Sequence, residues 1–438
     1  MPHVLLIATV ILLISLPTHG FSQQNNQNDL SASVNAASTI TDYHLPPDKL
    51  KKAHALYLIE TRLLLLSTLY SFAILFAFLR WRWMIKIRNL SEQLSNRRLV
   101  QAWIVFPLFA VIFSVLLLPV RIYGHHIRLN FGLSVQGWGS WLRDQGVELL
   151  LACVVGSLLV WILYAVIRRS PRRAWLYFWL AVIPISAFLT FIAPVAIDPL
   201  FDKFQPLEST HPELVSALEQ AARRGGLEIQ RNRMFEMKAS EKVTGSNAYV
   251  TGFGATKRVV VWDTAIQKMG TPELVYVFSH EMGHYVLQHV LKGFLFANAV
   301  FLGVFFLTYR IAVWMQKRWG TSWEIRDLAD WAGLPMLLLI ISGLFFVITP
   351  GLNAFSRHLE HQADRYGLDI IHGLLPDSSQ VAAHSFQALG EEWLDYPYPS
   401  KLAVWWFWDH PTIGDRIHFA LTYNPASRSG SENHPEPK

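Results

Sequence analysis

Apolar and polar positions alternate along the chain in long blocks. Six apolar blocks, 63–79, 102–120, 147–167, 174–197, 294–314 and 332–350, reach or approach the roughly 17 to 25 residues that a membrane-spanning helix needs. They predict a mainly α, polytopic membrane protein with about six transmembrane helices. Pro107, Pro184 and Pro194 lie inside these blocks, where neighbouring helices can satisfy the backbone groups that proline frees. Arg310 lies in the fifth and can snorkel to the interface. None of the six carries a carboxylate at mid-depth, which argues against a transporter.

A shorter run, "VLLIATVILLISL" at 4–16, is followed by Gly20 and a polar stretch. This layout predicts a signal peptide over 1–20, although its first residues include no lysine or arginine. Residues 21–50 and 425–438 are polar and of low hydrophobicity, and are expected to be a disordered leader and a disordered tail.

With six spans, parity assigns each connection to a face. One face takes 80–101, 168–173 and 315–331, with Arg80, Arg82, Lys86, Arg88, Arg97, Arg98, Arg168, Arg169, Arg172, Arg173, Lys317, Arg318 and Arg326. The opposing short connection, 121–146, offers Arg121, Arg128 and Arg143. The positive-inside rule makes the first face cytoplasmic and the larger polar segments extracytoplasmic. Composition agrees: the 438 residues are 52% hydrophobic and only 16% charged, against roughly 25% charged in soluble domains. The net charge of +6 gathers beside apolar runs, which is an orientation signal and not a nucleic-acid footprint. Cys153 is the single cysteine, so neither an internal disulfide nor a thiolate zinc cluster can form.

The block pattern divides the chain into a four-span membrane domain at 51–197, a polar domain at 198–292, two further spans at 293–350 and a C-terminal helical part at 351–424. Within 198–292, "HPELVSALEQAARRGG" has proline at a helix start and glycines at its end. "NAYVTGFGATKRVVVWD" reads as two β-rich runs around a glycine-containing turn, a hairpin. "TPELVYVFSHEMGHYVLQH" begins with Thr271, Pro272 and Glu273, the composition of a helix N-terminus.

On that last helix His280 and His284 are four residues apart, so their rings face one space roughly 6 Å apart. Two imidazoles in this arrangement can share one zinc ion, and Glu281 beside them can act as general base, the mechanics of H-E-x-x-H. Carried along the same helix, His289 points about 180° away and is no ligand. A third ligand comes from "SRHLEHQADRYG" at 356–367, where Glu360 and Asp364 share a helical face. Glu360 can enter the coordination sphere while Asp364 holds a ligand histidine from behind. Two spans separate His284 from Glu360, an even number, so both lie on one side of the membrane. A structural zinc would need a fourth protein ligand. His358 and His361 are at hand, but lie about 200° and 100° around the helix from Glu360. "WWFW" at 405–408 reads as an interfacial anchor or a lipid-binding wall, the anchor being favoured.

With these residues in place, the chain resembles the type 1 CAAX prenyl protease family of integral-membrane zinc metalloproteases. "IAPVAIDPLFDKFQPL" (192–207), "SNAYVTGFGATKRVVVWDT" (246–264) and "DHPTIGDRI" (409–417) follow the family's order, and the likeness extends over roughly 55–422. The resemblance implies a zinc endopeptidase with one Zn2+ per chain and spans enclosing a water-filled chamber. It implies that Asn247 and Ala248, on an edge strand, pair with substrate backbone. It also implies that His410 and Arg416 donate to the oxyanion or substrate carbonyl. The expected partners are a peptide or protein substrate, lipidated or membrane-bound, and the lipid bilayer. Eukaryotic members carry a full N-terminal span and open their site toward the cytosol; here the leading run is short and the arginines place the site outside. The function expected is therefore exported-side peptide-bond hydrolysis. The alternatives are a heat-shock-type protease of damaged membrane proteins and a non-catalytic membrane protein with structural zinc.

Overall fold

The computed structural model describes residues 39–192, 197–242, 245–251 and 257–424. The expected signal peptide, residues 21–38 of the expected leader, Pro194 and the expected tail fall outside them.

Each of the six apolar blocks coincides with a helix long and apolar enough to cross a membrane, the fourth as far as Phe191, beyond which residues 193–196 lie outside the described residues. Those helices are α1 (Pro47–Arg80), α3 (Arg98–Asn130), α4 (Trp138–Arg169), α5 (Ala174–Phe191), α9 (His289–Trp319) and α10 (Leu334–Ile371), with α2 (Trp83–Leu94) packed between the first two. All but the 18-residue α5 are longer than a bilayer requires. The 34 residues of α1 rise about 51 Å, against a hydrocarbon core of roughly 30 Å, so the helices extend past the membrane and carry polar residues into the adjoining domain. Pro107, Pro184 and Pro350 are accommodated inside α3, α5 and α10.

The polar domain combines α6 (Pro212–Arg224), the short α7 (Asp263–Lys268) and α8 (Thr271–Val286) with a small sheet. After α10 come α11 (Ser378–Glu392), α12 (Lys401–Phe407) and α13 (Ile413–Thr422). The expected hairpin is present as β3 (Ala248–Thr251) antiparallel to β4 (Arg258–Trp262). Two strands escaped the sequence reading, β1 (Phe204–Pro206) and β2 (Met234–Met237), and the order is β1-β2-β4-β3 with β2 and β4 parallel. Central β4 is buried at all but its last residue, matching its unbroken valine run. β3 is left at the edge.

Three boundaries differ from expectation. The expected leader over 21–50 is ordered at its C-terminal end: Ile40, Tyr43 and Leu45 are buried in the polar domain's core. Gln380 accepts from the Ile40 amide and donates to its carbonyl, so an extended segment is fastened to α11. Widely spaced apolar residues in a Ser/Asn-rich context hid it. The expected break at 350/351 does not exist, because α10 runs unbroken from the bilayer into the polar domain. Finally, α8 and α9 are separate helices, divided at Gln288 in the left-handed region (φ 57).

Candidate active site

Two helices build the site. α8 carries His280, Glu281 and His284; the membrane-distal end of α10 carries Glu360 and Asp364. Glycines permit the crossing: a Cβ on Gly367 would lie 3.2 Å from the His280 amide nitrogen, and one on Gly283 3.3 Å from Ala363 Cα.

At this crossing one nitrogen each from His280 and His284 and one oxygen of Glu360 lie within 4.8 Å of one another. Glu360 Oε2 is 3.4 Å from His280 Nε2, and Oε1 is 3.5 Å from His284 Nε2. The residues fit a divalent metal on two counts. The donor set is two imidazoles and a carboxylate, and Glu360 Oε2 is buried without a hydrogen-bond partner, a costly arrangement unless a cation completes it. Burial alone would lower the His280 pKa, but the carboxylates of Asp364 and Glu360 beside it push it up to about 10. The pocket therefore demands positive charge at this spot.

Both histidines are held from behind. His280 Nδ1 is 2.8 Å from Asp364 Oδ1, the supporting role expected for Asp364. Arg416 in turn donates from Nε and Nη2 to Asp364 at 2.9 and 2.5 Å, with its guanidinium stacked over Phe386. Arg416 Nη2 also lies 3.5 Å from His280 Nδ1, so Arg416 touches the site both through Asp364 and directly at the His280 ring. His284 Nδ1 lies 3.0 Å from His289 Nδ1, and the other His289 nitrogen is 3.0 Å from Gln362 Oε1. Projection along one continuous helix sent His289 to the far side; the turn at Gln288 returns it to the site, still outside the ligand set. A left-handed glutamine carries little sequence signal, so this link escaped prediction.

Glu281 stands within 4.0 Å of His280 Nε2, and burial pushes its carboxyl up from the ordinary glutamate range. That suits a group that must accept and return a proton. His410 is half exposed at the mouth, its Nε2 3.4 Å from Glu360 Oε1 and its Nδ1 2.8 Å from Asp409. Burial would lower the His410 pKa, yet Glu360 and Asp409 outweigh it and hold it above the usual value. His358 pairs with Gln362 and His361 packs on Phe419, both exposed, so neither closes the metal sphere.

Asn247 is exposed and Ala248 buried at the start of edge strand β3. Asn247 Oδ1 accepts from the Ala248 amide at 2.8 Å. The approach to this strand is pinned by residues the sequence reading did not find. Glu392 accepts from the Ser246 amide at 2.7 Å, Thr264 donates to the Gly245 carbonyl at 2.8 Å, and the Trp393 ring presses on Gly245, where a Cβ would come within 2.2 Å of it. Glu392 and Trp393 lie some 145 residues downstream at the end of α11, beyond the reach of any local pattern.

Long apolar helices wrapped against a zinc-type helix pair define the class: an integral, multi-pass membrane metalloendopeptidase. Family models agree, with residues 208–423 matching peptidase family M48 and residues 31–203 matching the CAAX prenyl protease N-terminal domain of five membrane helices. The chain belongs to peptidase family M48. It is 34% identical to a Bacillus subtilis protein described as the uncharacterized metalloprotease YhfN, over 76% of each chain. It is 27% identical to a Dictyostelium discoideum CAAX prenyl protease 1 homolog, over 75% of this chain and 76% of that one. The crystal structure of S. mikatae Ste24p shares the fold, with a TM-score of 0.72 at 22% identity, covering 86% of this chain and 89% of that one.

Proposed function

We propose that this protein is a single-zinc endopeptidase in which His280, His284 and Glu360 hold the metal. The observation that carries the reading is the convergence of these three donors around a buried, unpartnered carboxylate oxygen. Zinc there would supply Lewis-acid polarisation of the scissile carbonyl and the attacking water. Glu281 then takes the water's proton on its carboxylate and returns it to the leaving amine. His410, at the mouth, donates toward the negative charge developing on the carbonyl oxygen, and Asn247 and Ala248 align an extended substrate along β3. Arg416 fixes Asp364 and abuts His280 Nδ1, and so positions the His280 ring. The spans enclose a chamber onto which this site faces.

The same reading places the site on the extracytoplasmic side, because the arginine-rich connections lie at the opposite ends of the helices. A cysteine placed at exposed Ser209 should react in intact cells with a thiol reagent that cannot cross membranes; labelling only after lysis would reverse the orientation.

On that side the natural substrate is an exported or membrane-bound peptide chain, and prenylation is not required. Two peptides identical except for a farnesyl group near the C-terminus should be cleaved at rates within about tenfold, a span of roughly 1.4 kcal/mol, with Glu281→Gln as the blank. A much stronger preference for the farnesylated peptide would point instead to the substrate class named for the CAAX prenyl protease relatives.

A further inference from the structure

The two histidines of the site are backed by different chemistry. Behind His280 stands an ionised pair, Asp364 with Arg416. Behind His284 stands a chain of imidazole and amide groups that joins three helices. His284 Nδ1, on α8, lies 3.0 Å from Nδ1 of His289, the first residue of α9. His289 Nε2 lies 3.0 Å from Gln362 Oε1 on α10, and Gln362 Nε2 lies 3.0 Å from Nε2 of His358, one turn earlier on the same helix.

The proton positions along this chain follow from its first member. His284 Nε2 is the nitrogen that faces His280 Nε2 and Glu360 Oε1, at 3.1 and 3.5 Å. It needs a free lone pair to serve a metal, so the ring's proton sits on Nδ1. A contact between two Nδ1 atoms holds one proton, so His289 Nδ1 accepts and its own proton sits on Nε2. That N–H donates to Gln362 Oε1, and the Gln362 amide donates onward to His358 Nε2. Each member has one role, and every donor points from the site toward the surface, where His358 is exposed. The opposite tautomer of His289 would set two N–H groups against each other at 3.0 Å and turn a lone pair toward the Gln362 oxygen. His289 itself is only 1% exposed, so water has little room to take its place.

We propose that His289, seated by Gln362, is the positioning residue of His284, fixing the tautomer and ring rotation that present Nε2 to the metal. The role rests on the zinc reading of the site and deepens it.

The test is zinc affinity of the intact full-length protein in detergent, stripped by chelation and then titrated with zinc against a competing chelator. His289→Phe keeps a ring but removes the acceptor, and should weaken zinc binding roughly 10- to 100-fold, the usual effect of deleting a ligand's outer partner. His289→Asn offers Oδ1 where Nδ1 stood, an acceptor again for the His284 N–H, and should recover most of that loss. Gln362→Met, at a partly buried position, leaves both rings in place and should cost several-fold. Circular dichroism of the stripped variants at the wild-type signal shows that they are folded. Wild-type affinity in His289→Phe, alongside zinc loss in Glu360→Ala, would overturn the role of His289 and leave the metal site standing. Zinc binding unaffected by Glu360→Ala would overturn the metal site and this role with it. Equal losses in His289→Asn and His289→Phe would reduce His289 to packing. If His289→Phe does not fold, Gln362→Met decides, and wild-type affinity there overturns the proposal.

Discussion

Glu281→Gln is expected to keep the metal and lose the reaction. Glu281 lies beside the three donors without being one of them, so an isosteric amide leaves the coordination set intact while removing the group that accepts the water's proton. General acid–base groups contribute roughly 10²- to 10⁴-fold, and the loss should fall on kcat with little change in KM, the pattern of an interaction made chiefly in the transition state. Elemental analysis beside steady-state kinetics checks both halves. Parallel loss of metal and activity would make Glu281 a ligand.

Glu360→Ala should act in the opposite order, losing metal first and activity as a consequence. Replacing an outer partner of a ligand typically costs roughly 10- to 100-fold in affinity, and removing one of only three protein donors should cost more. The remaining pair, His280 and His284 on one helix, would bind zinc weakly. The metal-free variant should still fold, because the change deletes a buried carboxylate oxygen that has no hydrogen-bond partner, and circular dichroism at the wild-type signal would show it. A variant that retains zinc at the wild-type level would place the third ligand elsewhere.

Much of this site was legible in the sequence because its parts are local. The i, i+4 pairs His280/His284 and Glu360/Asp364 each lie on one helix, and the even number of intervening spans put both helices on the same face. What escaped depends on the path of the chain between helices. The turn at Gln288 brings His289 onto His284, and nothing in "LQHV" announces it. Arg416 was singled out by its motif, yet its engagement with Asp364 became visible only once α13 was packed against α10 and α11. The edge position of β3 came with the family resemblance, but its clamp by Glu392 and Trp393 is a contact between distant segments. The ordered strap at 39–46 escaped because three buried apolar residues in a polar stretch have no periodicity to read.

In the proposed mechanism hydrolysis depends on one metal held by His280, His284 and Glu360. Titrating zinc into chelator-stripped protein while following peptide cleavage tests it most directly. Activity should rise from the blank in proportion to added zinc and level off at one equivalent per chain. Full cleavage by the stripped protein, or a rise that continues to two equivalents, would contradict it.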